Sequence, residues 1–134
     1  MDIEILNKII EKVQKIKVLY VEDNKDVREQ TLKIFEDFFG DIHVSKNGLE
    51  GLELFKLVSD FDLVITDISM PIMSGINMSK SIREIDSEVA IIIISAHNEN
   101  SFLDEVKEYN INQYIFKPLN LDSFVGALQK IYLK

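Results

Sequence analysis

Cysteine is absent from the 134 residues, proline occurs only twice, and basic side chains are outnumbered by acidic ones, 15 to 23. Without cysteine there is no disulfide and no thiolate metal site, which suits a reducing compartment. The net charge of -8 and pI near 4.7 argue against direct nucleic-acid binding, because phosphate neutralisation needs clustered Lys and Arg. No apolar stretch approaches the ~20 residues that span a bilayer. Met1-Asp2-Ile3-Glu4 offers no basic leader, unbroken apolar core or small-residue cleavage site, so it does not read as a signal peptide. Repeats, low-complexity tracts and flexible linkers are missing too. The expectation is a cytoplasmic, soluble chain.

What is present is ordinary for a globular domain: 46% hydrophobic and 28% charged residues. The length fits one domain. Short apolar runs recur along it. Val18–Val21, Ile42–Val44, Leu63–Thr66, Val89–Ile94 and Gln113–Phe116 read as strands, the fully apolar ones as strands buried on both faces. The run over 89–94 is the most β-branched and reads as central. Between the strands lie helical patterns over Asp26–Phe38, from Leu49 to Val58, Asn77–Ile85, Ser101–Tyr109 (Phe102, Leu103 and Val106 inward) and Leu121–Leu133. Asn24 or Asp26 can cap the first of these and Gly40 end it, while Asn47-Gly48 reads as a turn. Strands alternating with helices of this size make βαβ units and a parallel sheet. The expected fold is α/β: a doubly wound, flavodoxin-like, five-stranded parallel sheet in the order 2-1-3-4-5.

Residues 1–16 precede that pattern as an amphipathic helix, with Ile3, Leu6, Ile10 and Val13 at a/d-like spacing and Ile9 and Ile16 beside them. Either it packs on the domain's own surface or it serves a partner or a second copy. Residues 17–134 form the domain proper.

Several of these strands end on chemistry. The first is followed by Glu22-Asp23, the third by Asp67, the fourth by Ser95 and the fifth by Lys117-Pro118. In parallel α/β sheets ligands bind at the carboxyl ends of the strands. Three carboxylates meeting there raise one another's pKa, and a hard divalent cation resolves the repulsion. Mg²⁺ takes one or two carboxylates and leaves room for phosphate. Lys117 then supplies a point charge to a phosphoryl oxygen, Ser95 a hydrogen bond, and Asp67 the nucleophile of an aspartyl phosphate.

Taken in order, Glu22-Asp23, Asp67 with Met70-Pro71-Met73-Gly75, Ser95-Ala96 and Lys117-Pro118 resemble the receiver domain of two-component response regulators over roughly Lys17 to Lys134. The resemblance implies that Asp67 accepts phosphate from the phosphohistidine of a sensor histidine kinase or phosphotransfer protein. It implies that Glu22, Asp23, Asp67 and the backbone carbonyl of Ser69 hold Mg²⁺, and that the Lys117-Pro118 bond is cis. Tyr114 matches the family's switch aromatic, which turns inward as the Ser95 hydroxyl moves toward phosphate. Ser69 and His97 stand where the family tunes dephosphorylation. The signal leaves through the surface of the fourth helix, fifth strand and fifth helix of such a domain, toward an effector protein or a homodimer partner.

Two other functions are open to this pattern. An aspartyl-phosphate phosphatase needs a second acid two residues after its nucleophile, where this chain has Ser69. A phosphate-independent interaction module loses its nucleophile, acid or lysine, and all three are here. The expectation is therefore a signalling switch and not an enzyme, beyond self-phosphorylation and self-dephosphorylation.

Overall fold

The structure is a computed structural model that describes residues 2–96 and 103–133. Its elements run α1 (Ile3–Val13), β1 (Lys17–Val21), α2 (Lys25–Glu36), β2 (Asp41–Ser45), α3 (Gly48–Val58), β3 (Leu63–Thr66), α4 (Gly75–Ile85), β4 (Ala90–Ser95), α5 (Leu103–Glu108), β5 (Gln113–Phe116) and α6 (Leu121–Tyr132). The five strands form one parallel sheet in the order β2-β1-β3-β4-β5, as the alternation predicts. β4 is an interior strand, buried along its whole length between β3 and β5, as its apolar run predicts.

Alternate side chains of each strand feed two cores, as the period of 2 requires. Val18, Tyr20, Leu63, Ile65, Ile92 and Ile94 pack against α1, α2 and α6. Leu19, Val21, Val64, Ile91 and Ile93 pack on the opposite side against α3, α4 and α5. The first core is aromatic. The Phe35 ring lies 4.9 Å from both Tyr20, edge to face, and Phe124, and Phe38 lies 5.2 Å from Phe124.

The N-terminal helix joins that aromatic core. Ile9 and Val13 are fully buried, with Ile5, Leu6 and Ile10 half-buried beside them, while Ile3 is 70% exposed. The most buried stripe runs 5-9-13; Leu6, Ile10 and Val13 of the expected face all pack on this core, and Ile3 of that face does not. Lys12 Nζ donates to the carbonyl of Tyr132 at 3.1 Å, pinning α1 to the end of α6.

Asn24, one of the two expected caps, caps α2 by accepting from Val27 N at 3.0 Å, so the helix starts at Lys25. Gly40 is no left-handed cap, since no glycine has positive φ; instead a Cβ there would stand 2.7 Å from the carbonyl oxygen of Gln14. Asn47 is the N-cap of α3, its side chain accepting from Glu50 N, and Gly48 is already helical. Likewise α4 begins at Gly75 under a Ser74 cap, ahead of Asn77. On the expected fourth helix Val106 packs inward with the second core, while Ser101 and Phe102 fall outside the described residues.

Candidate phosphoacceptor site

Sheet register brings the acids together. Val21 pairs with Thr66 in the last rung between β1 and β3, so the next residues, Glu22 and Asp67, leave the sheet side by side. Asp67 N donates to the carbonyl of Val21 at 3.2 Å, and Glu22 N to that of Ser45 at 3.1 Å. Both acids are held by main chain before any side chain acts. One carboxylate oxygen from each of Glu22, Asp23 and Asp67 lies within 4.8 Å of the other two. Glu22 is 2% exposed and Asp67 9%, whereas Asp23 faces solvent.

Lys117 reaches this cluster from the end of β5. Its Nζ donates to Glu22 Oε1 at 2.7 Å and to Asp67 Oδ2 at 3.0 Å. Its backbone N–H donates to the carbonyl of Ser95 at 2.9 Å, and the Lys117-Pro118 peptide is cis. The other Asp67 oxygen, Oδ1, accepts from Ile68 N at 2.7 Å. Burial pulls the Lys117 amine down, but its hydrogen bonds to Glu22 and Asp67 outweigh that and hold it above its ordinary value. Burial pushes the Glu22 carboxyl up further than Lys117 and the N–H of Asn24 bring it down.

Ser95 is fully buried. Tyr114 shares a side-chain hydrogen bond with it, and burial raises the Tyr114 phenol. Ser69 is exposed on the β3–α4 loop and lines, with Asp23, Met70 and Asn77, an open cleft of about 650 Å³. A second cavity of about 470 Å³, with Tyr20, Thr31, Ile34 and Leu119 in its walls, meets Glu22, Asp67 and Lys117 from the other side. His97 lies outside the described residues.

Chemically this is an oxygen-rich basket with one ammonium in it. The carboxylates are hard ligands of the kind Mg²⁺ takes. The ammonium is a mobile point charge of the kind that pairs with phosphate.

Two neighbours of the site carry no sequence motif. Arg28 Nη1 donates to the carbonyls of Glu22 and Asp23, at 2.9 and 3.3 Å. Thr66 Oγ1 donates to the carbonyl of Asp67 at 2.9 Å. For Arg28 a signal exists, since helical side chains lean toward the helix N-terminus and the acids lie just before that end.

The model of the response regulator receiver domain matches residues 18–129. The chain is 31% identical to the chemotaxis protein CheY of Halobacterium salinarum over 114 residues, 85% of this chain and 94% of that protein. It is also 31% identical to a response regulator receiver protein of Anaeromyxobacter over 75% of this chain, yet spans only 42% of that longer protein. Among solved structures it superposes on a chain of the CheX-CheY-BeF3-Mg²⁺ complex from Borrelia burgdorferi. There the TM-score is 0.81 and identity 27%, with 89% of this chain and 90% of that one covered. Among the described residues no helix is long and apolar enough to cross a membrane. By its sequence and its strand-tip residues alike, the chain belongs to the response regulator receiver domains.

Proposed function

We propose that this receiver domain is a phosphorylation-driven switch in which Asp67 takes a phosphoryl group from the phosphohistidine of a sensor kinase or phosphotransfer protein. The observation that carries the proposal is the placement of Lys117 Nζ within 3.0 Å of both Glu22 and Asp67. Three acids and one ammonium from three strand tips are thereby gathered where an acyl phosphate needs charge neutralised. In the transfer the N–P bond of the donor breaks as an oxygen of Asp67 bonds to phosphorus. Such transfers depend mainly on positioning and electrostatics.

The residues fit Mg²⁺. Every donor is a hard oxygen, and the raised Glu22 carboxyl is the mark of crowded, buried negative charge that a divalent cation relieves. Glu22, Asp23, Asp67 and the carbonyl of Ser69 would hold it. When bound, the cation would neutralise charge on the phosphoryl oxygens. The CheY of Borrelia burgdorferi, in its complex with BeF3 and Mg²⁺, supports the same assignment.

Lys117 shifts from bridging two carboxylates to pairing with the phosphoryl group. Ser95 donates to another phosphoryl oxygen, and its movement alters the hydrogen bond it shares with Tyr114. That changes the face made by α5, β5 and α6, where Phe116 is 53% exposed. An effector protein or a second copy docks there. Moving such a switch from mostly off to mostly on takes ~5.5 kcal/mol of differential stabilisation. Ser69 and His97 tune how long the phosphate lasts. The setting is cytoplasmic, with no direct nucleic-acid contact by this chain.

The test is an NMR titration with beryllofluoride and Mg²⁺. Resonances of Tyr114 and of the α5–β5–α6 face shift in the wild type and stay fixed in Asp67→Asn. An identical response from the Asn variant defeats the proposal.

A further inference from the structure

We infer that Arg28 is a positioning residue for the cation site, an inference that rests on the phosphoacceptor reading above. β1 ends at Val21, so the carbonyls of Glu22 and Asp23 lie past the last rung of the sheet. Carbonyls left without a ladder partner need another donor. Arg28 sits one turn into α2, and its side chain leans back toward the N-terminus of that helix. Its Nη1 reaches both carbonyls, at 2.9 and 3.3 Å. The guanidinium thus grips the main chain of the two acids and leaves their carboxylate oxygens for the site. Asn24 N completes the hold by donating to Glu22 Oε2 at 3.2 Å. Together these bonds fix the loop in the shape that brings Glu22 and Asp23 within 4.8 Å of Asp67.

Removing Arg28 has two opposed consequences, which is what makes the idea testable. As a mere positive charge near the acids it would repel a cation, and its loss would tighten binding. As a clamp on the ligand-bearing loop, its loss weakens binding, and outer-shell partners of this kind are typically worth roughly 10- to 100-fold in metal affinity. The geometry points to the second.

Isothermal titration of the unphosphorylated full chain with MgCl2 measures the outcome. Arg28→Met raises the Mg²⁺ Kd by about tenfold, and Arg28→Lys, which keeps the charge but loses the fork, falls between it and the wild type. Circular dichroism melts establish that each variant is folded. Should the Met variant fail to fold, the Lys variant alone decides, because its charge is unchanged and any weakening reports lost geometry. Unchanged or tighter Mg²⁺ binding in the variants overturns the inference while leaving the phosphoacceptor reading intact. A wild-type chain that takes up no Mg²⁺ overturns both.

Discussion

Gly75 packs directly on the main chain of Asp67: a Cβ built on Gly75 would overlap the carbonyl oxygen of Asp67 and crowd Thr66 Oγ1. The two residues are also linked through Ile68, whose carbonyl accepts from Gly75 N at 2.8 Å. The first turn of α4 is therefore the wall behind the acid. Gly75→Ala forces the β3–α4 loop outward, and overpacking of this kind costs about 1–3 kcal/mol. Urea unfolding should show that loss, together with slower phosphorylation from acetyl phosphate. An Ala variant as stable and as fast as the wild type would show that the loop yields freely.

Glu22 is a buried acid bonded to Lys117. Its carboxyl is raised above the ordinary 4.5, chiefly by burial, so the folded state holds that proton more tightly than the unfolded state does. Its contribution thus favours folding at low pH and declines as pH rises through the folded value. At pH 7 Glu22→Gln removes the buried charge and keeps an acceptor for Lys117. The metal-free variant should gain about 1 kcal/mol, the usual size of a substitution that relaxes a functional site, and should bind Mg²⁺ less tightly. A Gln variant less stable than the wild type at pH 7, measured without Mg²⁺, contradicts this. The Lys117 ammonium does not share the window. Its pKa lies above the ordinary 10.5, so its stabilising share is intact at neutral pH and fades only in alkali.

Ile72, in the loop between Asp67 and α4, has φ of 72° and is 76% exposed. A β-branched residue in the left-handed region is strained by about 1–3 kcal/mol. Asparagine tolerates that conformation better. Ile72→Asn should stabilise the domain by about 1 kcal/mol in thermal melts, and a lower Tm would argue against the strain.

α1 is built into the aromatic core, where Ile9 is fully buried among residues that include Phe35 and Phe124. Ile9→Ala should cost about 2–5 kcal/mol in a denaturant titration, the range for buried aliphatic truncation. Ile3→Ala, at an exposed position, should fall within about 0.5 kcal/mol of the wild type. Equal effects at the two positions would mean that the helix does not dock along the 5-9-13 stripe.

Much of this was legible in one dimension because the strands are self-declaring. Leu63-Val64-Ile65-Thr66 and Ile91-Ile92-Ile93-Ile94 are apolar on both faces, which only a strand covered on both sides requires. The residues after them inherit their places at the carboxyl edge. Helix starts were less legible. Asn47-Gly48 serves equally as a turn or as a cap and first helical residue; here Asn47 caps α3, and Gly48 lies so close to the carbonyl of Met73 that a Cβ there would overlap it. Where α1 docks was not legible, because the surface it meets, Phe35, Phe124 and Leu128, comes from segments far along the chain.

By itself, then, the order of residues determined the alternation of strand and helix, the parallel sheet, and which side chains stand at its active edge, because period and apolarity are local properties that backbone sterics translate directly. Only the tertiary structure decided that Val21 pairs with Thr66, that Lys117 bridges Glu22 and Asp67, and that Arg28 turns back to the carbonyls before its own helix. Those relations join segments up to 95 positions apart. They are set by register and packing, which no local pattern encodes.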